Sequence, residues 1–486
     1  MKTHHLPVLG FLSTLALLEG ACTCASTVLR VEDAGGADAT LQIEDAGGAD
    51  APRPTGAPCN REAGRPPTIQ WLDESPIVLE ATESPIELAG GGAEFGITYL
   101  HGNHCESFGG VGPCLVGATL PSLGTHTSIP EPFSWATDVL DDAWRGLPGP
   151  RPRRYDVRRG GQSRPGEVAW MLETVGTPSA AVWQFQPSSF APLADGQFRA
   201  PEGRSIADVM PGGEERLPYE GTVLVATHRP HPVAPDSVLP YVDLRVHVLS
   251  ADDGTERETH DIRTDLPFDE PRLVMARGGS RAWVTYVQDF DFPRAVQLQA
   301  LDTGVRRINP AGCGGAGFGR GPVRAYDVAA ASDEDILVVE ECGRGDAPGS
   351  DPMTFLEWRT WDAGVASAVV RRRGDDDANS ARSRVAIDRR GLAWIAYAAE
   401  GSTTMHVEAY RLVRPSPGAP GSPALEQVVA SEVPVSYQTA LGGPVAYLAI
   451  AASDDDTVAL GWSVTSLDPE VGGWPRAAVA RLRLCE

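Results

Sequence analysis

The chain has 486 residues, 42% of them hydrophobic, and a formal net charge of −24 at pH 7. That length and apolar content are enough to bury a large core. The charge excludes a nucleic-acid polyanion as the main partner, because like charges repel and few counterions would be released on contact.

In chain order, the first predicted element is a signal peptide. The first five residues hold Lys2 and no acid, and Leu6 to Leu18 form an apolar run broken only by Pro7, Gly10, Ser13 and Thr14. The run falls short of the roughly 20 apolar residues that a spanning helix needs, and small residues suited to cleavage follow it. Residues 31–39 (VEDAGGADA) return almost unchanged at 43–51 (IEDAGGADA), followed by Pro52, Pro54 and Pro58. Small residues, glycine and acids at that density have little to bury, which predicts a disordered, self-repelling tether. The domain plan is therefore a signal peptide over 1–21, a tether over 22–58 and a folded domain over 59–486.

The junction Leu18-Glu19-Gly20-Ala21-Cys22 resembles the lipobox of bacterial lipoproteins, in which a leucine and small residues precede a lipidated cysteine. Here the leucine stands one place further upstream and Glu19 occupies its position; Cys24 is a second candidate, and plain cleavage after Ala25 is the alternative. The resemblance implies export, a lipid on Cys22 and a membrane as partner. Thr23 in place of an aspartate resembles outer-membrane sorting, with a secreted or periplasmic protein as the other outcome. Lys2 is the only lysine, so arginine supplies nearly all the positive charge of the mature chain. With the Asp-Ala-Gly-Gly tether, this is similar to lipoproteins of high-GC Gram-negative genomes.

Beyond the tether one signature recurs: an acidic or Gly-rich turn, a short apolar strand often ending in an aromatic, then a polar loop. Its copies lie at 94–102, 166–174, 220–228, 280–288, 333–341, 390–399 and 455–464. Aligned on Tyr99, Leu172, Ala226, Tyr286, Glu340, Tyr397 and Trp462, they stand 54 to 73 residues apart. That period suits a four-stranded unit. Apolar stretches such as 272–276 precede the copies, and alternating ones such as 295–301 and 406–413 follow, as half-buried strands do. Radial repetition lets so long an all-β chain avoid exposed edges. The reading is a seven-bladed β-propeller closed by an N-terminal strand near 68–72 that completes the last blade; two packed β-sandwich domains are the alternative. The arginines at 151, 153, 154, 158 and 159, flanked by Gly and Pro, read as a solvated loop.

Apart from Cys22 and Cys24 the chain has six cysteines, an even count that in an exported protein predicts disulfides. The propeller order pairs Cys105 with Cys114 inside one loop, Cys313 with Cys342 inside one blade, and Cys59 with Cys485 at ring closure.

The candidate ligand site is the level where second strands end. His101, Glu173, His228 and Gln288 fall in register there, with Glu340, Glu341 and Glu400 at or near the same height. The pairs His101/His104 and His228/His231 sit three apart, yet no HExxH and no paired CxxC accompanies them, so they read as ordinary loop histidines and no metal or cofactor is expected. The turns at 332–335 (SDED) and 453–456 (SDDD) read as Asp-capped hairpins. Three functions fit: a binding or scaffold module for a protein or glycan ligand; a polysaccharide hydrolase or lyase using two carboxylates such as Glu173 and Glu341 across the channel; and a structural part of an envelope complex.

Overall fold

The computed structural model describes residues 66–80, 86–101, 104–105, 110–111, 114–124, 126, 133–134, 152–159, 168–174, 180–184, 196–212, 218–231, 241–262, 264, 267–276, 278–288, 295–302, 306–308, 323–343, 353–360, 369–373, 380–399, 403–414, 424–464 and 476–486. All belong to a unit spanning Pro54–Glu486. The signal peptide, the tether, Cys22, Cys24, Cys59, Cys313 and Glu400 lie outside the described residues.

Two short strands lead, β1 (Thr68–Trp71) and β2 (Ile77–Glu80). Seven antiparallel four-stranded units then follow one another. Blade one is β3 (Glu87–Gly91), β4 (Glu94–His101), β7 (Cys114–Pro121) and β8 (Phe133–Ser134), with a small hairpin, β5 (His104–Cys105) and β6 (Gly110–Val111), between its second and third strands. Blade two is β9 (Pro152–Arg159), β10 (Val168–Thr174), β11 (Ala180–Gln184) and β12 (Gly196–Arg199). Blade three is β13 (Ser205–Pro211), β14 (Thr222–Pro230), β15 (Tyr241–Ser250) and β16 (Glu256–Ile262). Blade four is β17 (Phe268–Met275), β18 (Ala282–Gln288), β19 (Ala295–Ala300) and β20 (Arg306–Ile308), joined to blade three by the single pair Tyr241↔Phe268. Blade five is β21 (Val323–Ala330), β22 (Asp335–Cys342), β23 (Met353–Thr360) and β24 (Val369–Arg373). Blade six is β25 (Ser380–Ile387), β26 (Leu392–Ala399), β27 (Met405–Val413) and β28 (Ala424–Glu432).

The last blade has three strands of its own, β29 (Val445–Ala452), β30 (Thr457–Val464) and β31 (Arg476–Cys485). Its outer strand comes from the other end of the chain: β1 pairs with β31 from Thr68↔Cys485 to Trp71↔Leu482, and β2 continues along it from Ile77↔Val479 to Glu80↔Arg476. The first strands of the blades neighbour one another in unbroken succession, β3 to β9, β13, β17, β21, β25, β29 and back to β3. The fold is therefore a seven-bladed β-propeller, and the seven sequence copies are its second strands.

Cohesion comes from the interfaces between blades. The fully buried Trp183, Trp283, Trp358, Trp394 and Trp462 belong to five different blades, and each such side chain contributes about 3 kcal/mol by burial. Trp183 Nε1 also donates to Ala251 O of blade three at 2.8 Å. The arginine-rich stretch is a strand and not a solvated loop: Pro152–Arg159 is the first strand of blade two, paired with β10 from Arg159↔Val168 to Arg154↔Glu173 and, after one irregularity, at Pro152↔Thr174.

The seam between the last and first blades is tied by a buried ion pair and by several hydrogen bonds. Arg481 of β31 is fully buried and grips Asp73, which lies in the irregular stretch between β1 and β2. Its Nη2 reaches Asp73 Oδ1 at 2.5 Å and its Nε reaches Oδ2 at 3.2 Å, while its backbone N–H donates to Oδ2 at 2.8 Å. The remaining three guanidinium protons go to Pro121 O at 2.6 Å, Leu123 O at 3.4 Å and Gly124 O at 2.8 Å in blade one. Tyr437, on the short helix α1 (Val435–Gln438), donates its hydroxyl to Asp73 O and packs edge-on against Trp71. Close backbone approach completes the seam, since a Cβ on Gly90 of β3 would stand 1.8 Å from Ala452 O.

Cys342 and Cys485 are each disulfide-bonded; the side chains of Cys105 and Cys114 lie outside the described residues. Two outcomes are expected at the seam. Removing Asp73 strands a buried guanidinium, so Asp73→Ala should cost about 3–5 kcal/mol in chemical denaturation; a loss below about 1 kcal/mol would contradict the clasp. Non-reducing peptide mapping should join Cys485 to Cys59, a link across more than 400 residues worth about 5 kcal/mol at most in chain entropy. A peptide joining Cys485 to Cys313 or Cys342 would contradict the blade order.

Candidate functional site

In this fold the first strand of each blade borders the central channel and has no strand on its inner side. Its alternate N–H and C=O groups would be left open, as on any sheet edge. Each of five first strands also carries an irregularity near its start, where an inserted residue leaves the ladder: between Ile206 and Asp208, Asp269 and Arg272, Val323 and Ala325, Ala381 and Arg384, and Val445 and Tyr447. These irregularities stand at one rim, the rim at which second strands end, and they re-aim the side chains beside them.

Carboxylates from one blade satisfy the open edge of the next. Asp208 of β13 accepts Leu273 N–H of β17 at 2.6 Å. Asp327 of β21 accepts Val385 N–H of β25 at 2.9 Å, and its other oxygen takes Arg272 Nη1 at 2.8 Å from the blade on its opposite side. Arg272 also lies over the ring of Tyr326, 5.3 Å from its centroid. The Tyr326 hydroxyl donates to Glu270 O and stands 3.1 Å from Thr285 Oγ1; burial pushes its pKa well above the ordinary tyrosine value, so it stays a neutral donor. Leu273 and Val385 occupy the same place, one residue beyond Arg272 and Arg384 respectively. The same tie thus recurs between blades three and four and between blades five and six.

Of the residues expected to face a ligand, the four whose side chains are described, His228, Gln288, Glu340 and Glu341, are buried. His101 ends β4 and Glu173 is the penultimate residue of β10; their side chains lie outside the description. His228 is buried and packs against Tyr241 with the rings tilted by 39° and their centroids 3.8 Å apart. Gln288, the last residue of β18, is fully buried. Glu341 accepts Ser383 N–H of blade six. Glu340 is held by Arg359 Nη2 at 2.7 Å, and Arg359 is further bound by Glu357 Oε2 at 2.9 Å and by Val296 O of blade four at 2.9 Å. Among the described residues no group of three His, Cys, Asp or Glu side chains could hold a metal.

The Asp-rich turns are also ties rather than merely solvated caps. Asp333 accepts Ser280 N–H at 2.7 Å, Ser280 Oγ at 2.6 Å and Arg281 N–H at 3.0 Å from blade four. Asp455 accepts Ser122 Oγ of blade one at 2.7 Å. Asp335 receives Trp358 Nε1 at 2.8 Å. A second buried network lies within blade three, where Thr227 Oγ1 meets Arg204 Nε at 2.9 Å and His247 Nε2 at 3.0 Å, and His247 Nδ1 meets Glu256 at 2.7 Å. Burial lowers the His247 pKa below the ordinary histidine value, opposed by Glu256.

Three half-buried tyrosines stand at the same rim: Tyr241 at the start of β15, Tyr397 near the end of β26 and Tyr447 near the start of β29. Tyr397 is stacked on His406, 4.9 Å between centroids, and its hydroxyl donates to Glu408 at 3.0 Å. In the sequence Tyr397 serves only as an alignment marker, and Arg272, Ser383, Arg384 and Asp327 carry no signal, because polar residues on a first strand follow no pattern that separates them from surface ones.

No protein-family model matches the chain, and no curated protein matches it. Among solved structures, it is similar to a protein of unknown function from Dyadobacter fermentans, with 10% identity and a TM-score of 0.39 over 85% of this chain and 99% of that one. It is also similar to polysaccharide lyase Uly1, with 6% identity and a TM-score of 0.41 over 82% and 90%. A third likeness is to an α-L-arabinanase from Penicillium chrysogenum, with 9% identity and a TM-score of 0.35 over 88% and 95%.

Proposed function

We propose that the protein is an exported, lipid-anchored binding module whose propeller takes a glycan at the rim where second strands end. One observation carries the reading: half-buried Tyr241, Tyr397 and Tyr447 occupy a single rim next to first strands whose polar groups are rigidly tied. Sugars present apolar C–H faces and hydroxyls together, and a tyrosine offers a ring and a hydroxyl in the same way. A pre-organised wall also lowers the entropy lost on binding. Binding is favoured over glycoside cleavage because Glu341, one of the two carboxylates a catalytic pair would use, is committed to Ser383 N–H and is buried. Fold alone would not choose between these uses.

The anchor belongs to the same proposal. A lipid on Cys22 followed by the repeated acidic spacer would hold the propeller at a membrane surface while leaving its rim free. Fatty-acid labelling of growing cells is expected to mark the wild-type chain and to be lost in Cys22→Ser; persisting label would move the anchor to Cys24 or elsewhere. For the ligand, the purified full chain should retain particular oligosaccharides on a glycan panel. Tyr447→Ala should weaken that retention by up to about tenfold, the value of one aromatic contact, without loss of the cooperative melt. Failure of every glycan to bind would overturn the reading.

A further inference from the structure

We infer that Arg384 is a carboxylate-binding residue in the channel wall between blades six and seven, and that the ligand there carries a carboxylate, as a uronic acid or a small organic acid does. This deepens the glycan reading and rests on it for the sugar source. Arg384 and Arg272 are structural equivalents: each is the first residue to rejoin the ladder after the irregularity of its first strand, Arg272 opposite Thr285 and Arg384 opposite Ala396. Arg272 is neutralised by Asp327 of the next blade's first strand. The corresponding strand facing Arg384 is β29, whose sequence VAYLAIAA holds no ionisable group except the Tyr447 phenol.

Arg384 is nonetheless only 8% exposed, and its Nη1 has no hydrogen-bond partner among the described residues. A buried guanidinium nitrogen without an acceptor is costly unless an acceptor joins it; the nearby carboxylates of Glu341 and Asp327 are engaged by the Ser383 and Val385 N–H groups. Two more donors are unsatisfied among the described residues: Ser383 Oγ on the adjacent residue, and Trp462 Nε1 in the core that blade six shares with blade seven. Unsatisfied donors without an acceptor call for an acceptor, and the planar guanidinium matches a carboxylate better than a spherical ion. The overall charge of −24 gives no general attraction for anions, so such binding would be local to this arginine.

The test compares wild type, Arg384→Met and Ser383→Ala by calorimetric titration and thermal melting in buffer free of organic acids and sulfate. The probes are glucuronate, a uronic-acid oligosaccharide, and its neutral glucose counterpart. The wild type is expected to bind the uronic oligosaccharide at least about tenfold more tightly than the neutral one, as one charge-assisted pair supplies. Arg384→Met should lose that preference while melting no lower than wild type, since it removes a buried guanidinium nitrogen that has no acceptor among the described residues. Ser383→Ala should lose a smaller part. At a hundred times Kd the charged ligand should raise the wild-type folding constant about a hundredfold and leave Arg384→Met unmoved.

Equal affinity for charged and neutral oligosaccharides in the wild type, or loss of cooperative melting in Arg384→Met, would overturn the inference while leaving a glycan module standing. Binding of free glucuronate alone, lost in Arg384→Met, would support the carboxylate site and overturn the glycan reading. No response to any acid would overturn the site.

Discussion

The pair formed by Arg481 and Asp73 is the constraint on which the ring depends. A propeller is a sheet assembly bent on itself, and its last blade is complete only if the start of the chain returns to it. Here the return is made by β1 and β2, with Asp73 between them as the latch. Because the guanidinium also holds the carbonyls of Pro121 and Gly124, one buried cation fixes three separate stretches of chain. Desolvating it would be unfavourable if any partner were missing, so the contact acts nearly all-or-none. Closure is therefore specified by electrostatics laid over the apolar packing of Trp71, Tyr437 and their neighbours.

The same logic repeats on a smaller scale around the channel. Seven inner edges would expose backbone groups, and the chain answers with acids placed one blade away, Asp208, Asp327 and Glu341. Asp333 and Asp455 do the equivalent at the opposite rim. These carboxylates are the material from which a catalytic pair might have been drawn, and their use as ties is what turns attention from acid-base chemistry to binding. Arg384 stands out against this background because its neighbouring strand supplies no acid.

Much of the architecture was legible beforehand. Seven second strands were visible as repeated turn-plus-apolar segments, since strands buried on both faces are nearly continuous apolar runs, as in AWVTYVQ, LAWIAYAA and TVALGWSV. The closing strand at 68–72 followed from the short last blade. The Arg-rich stretch at 152–159 was misread because a first strand, open to the channel on one side, tolerates charge at positions that a central strand would not. The site was less legible for the same reason that it is stable: whether His228, Gln288 or Glu341 faces solvent or a neighbouring blade depends on inter-blade packing, which no local pattern encodes. The pairing of Arg272 but not Arg384 is likewise a property of the blade next door, dozens of residues away.

The central claim is that residues 68–80 are an integral strand of the last blade. Hydrogen exchange of the full chain, read by mass spectrometry on peptides covering 68–80 and 476–485, tests it most directly. Shared registry predicts that both peptides exchange together and only through opening of the ring, with protection close to that of β30. Fast exchange over 68–80 beside a protected 476–485 would contradict closure by the N-terminal strand.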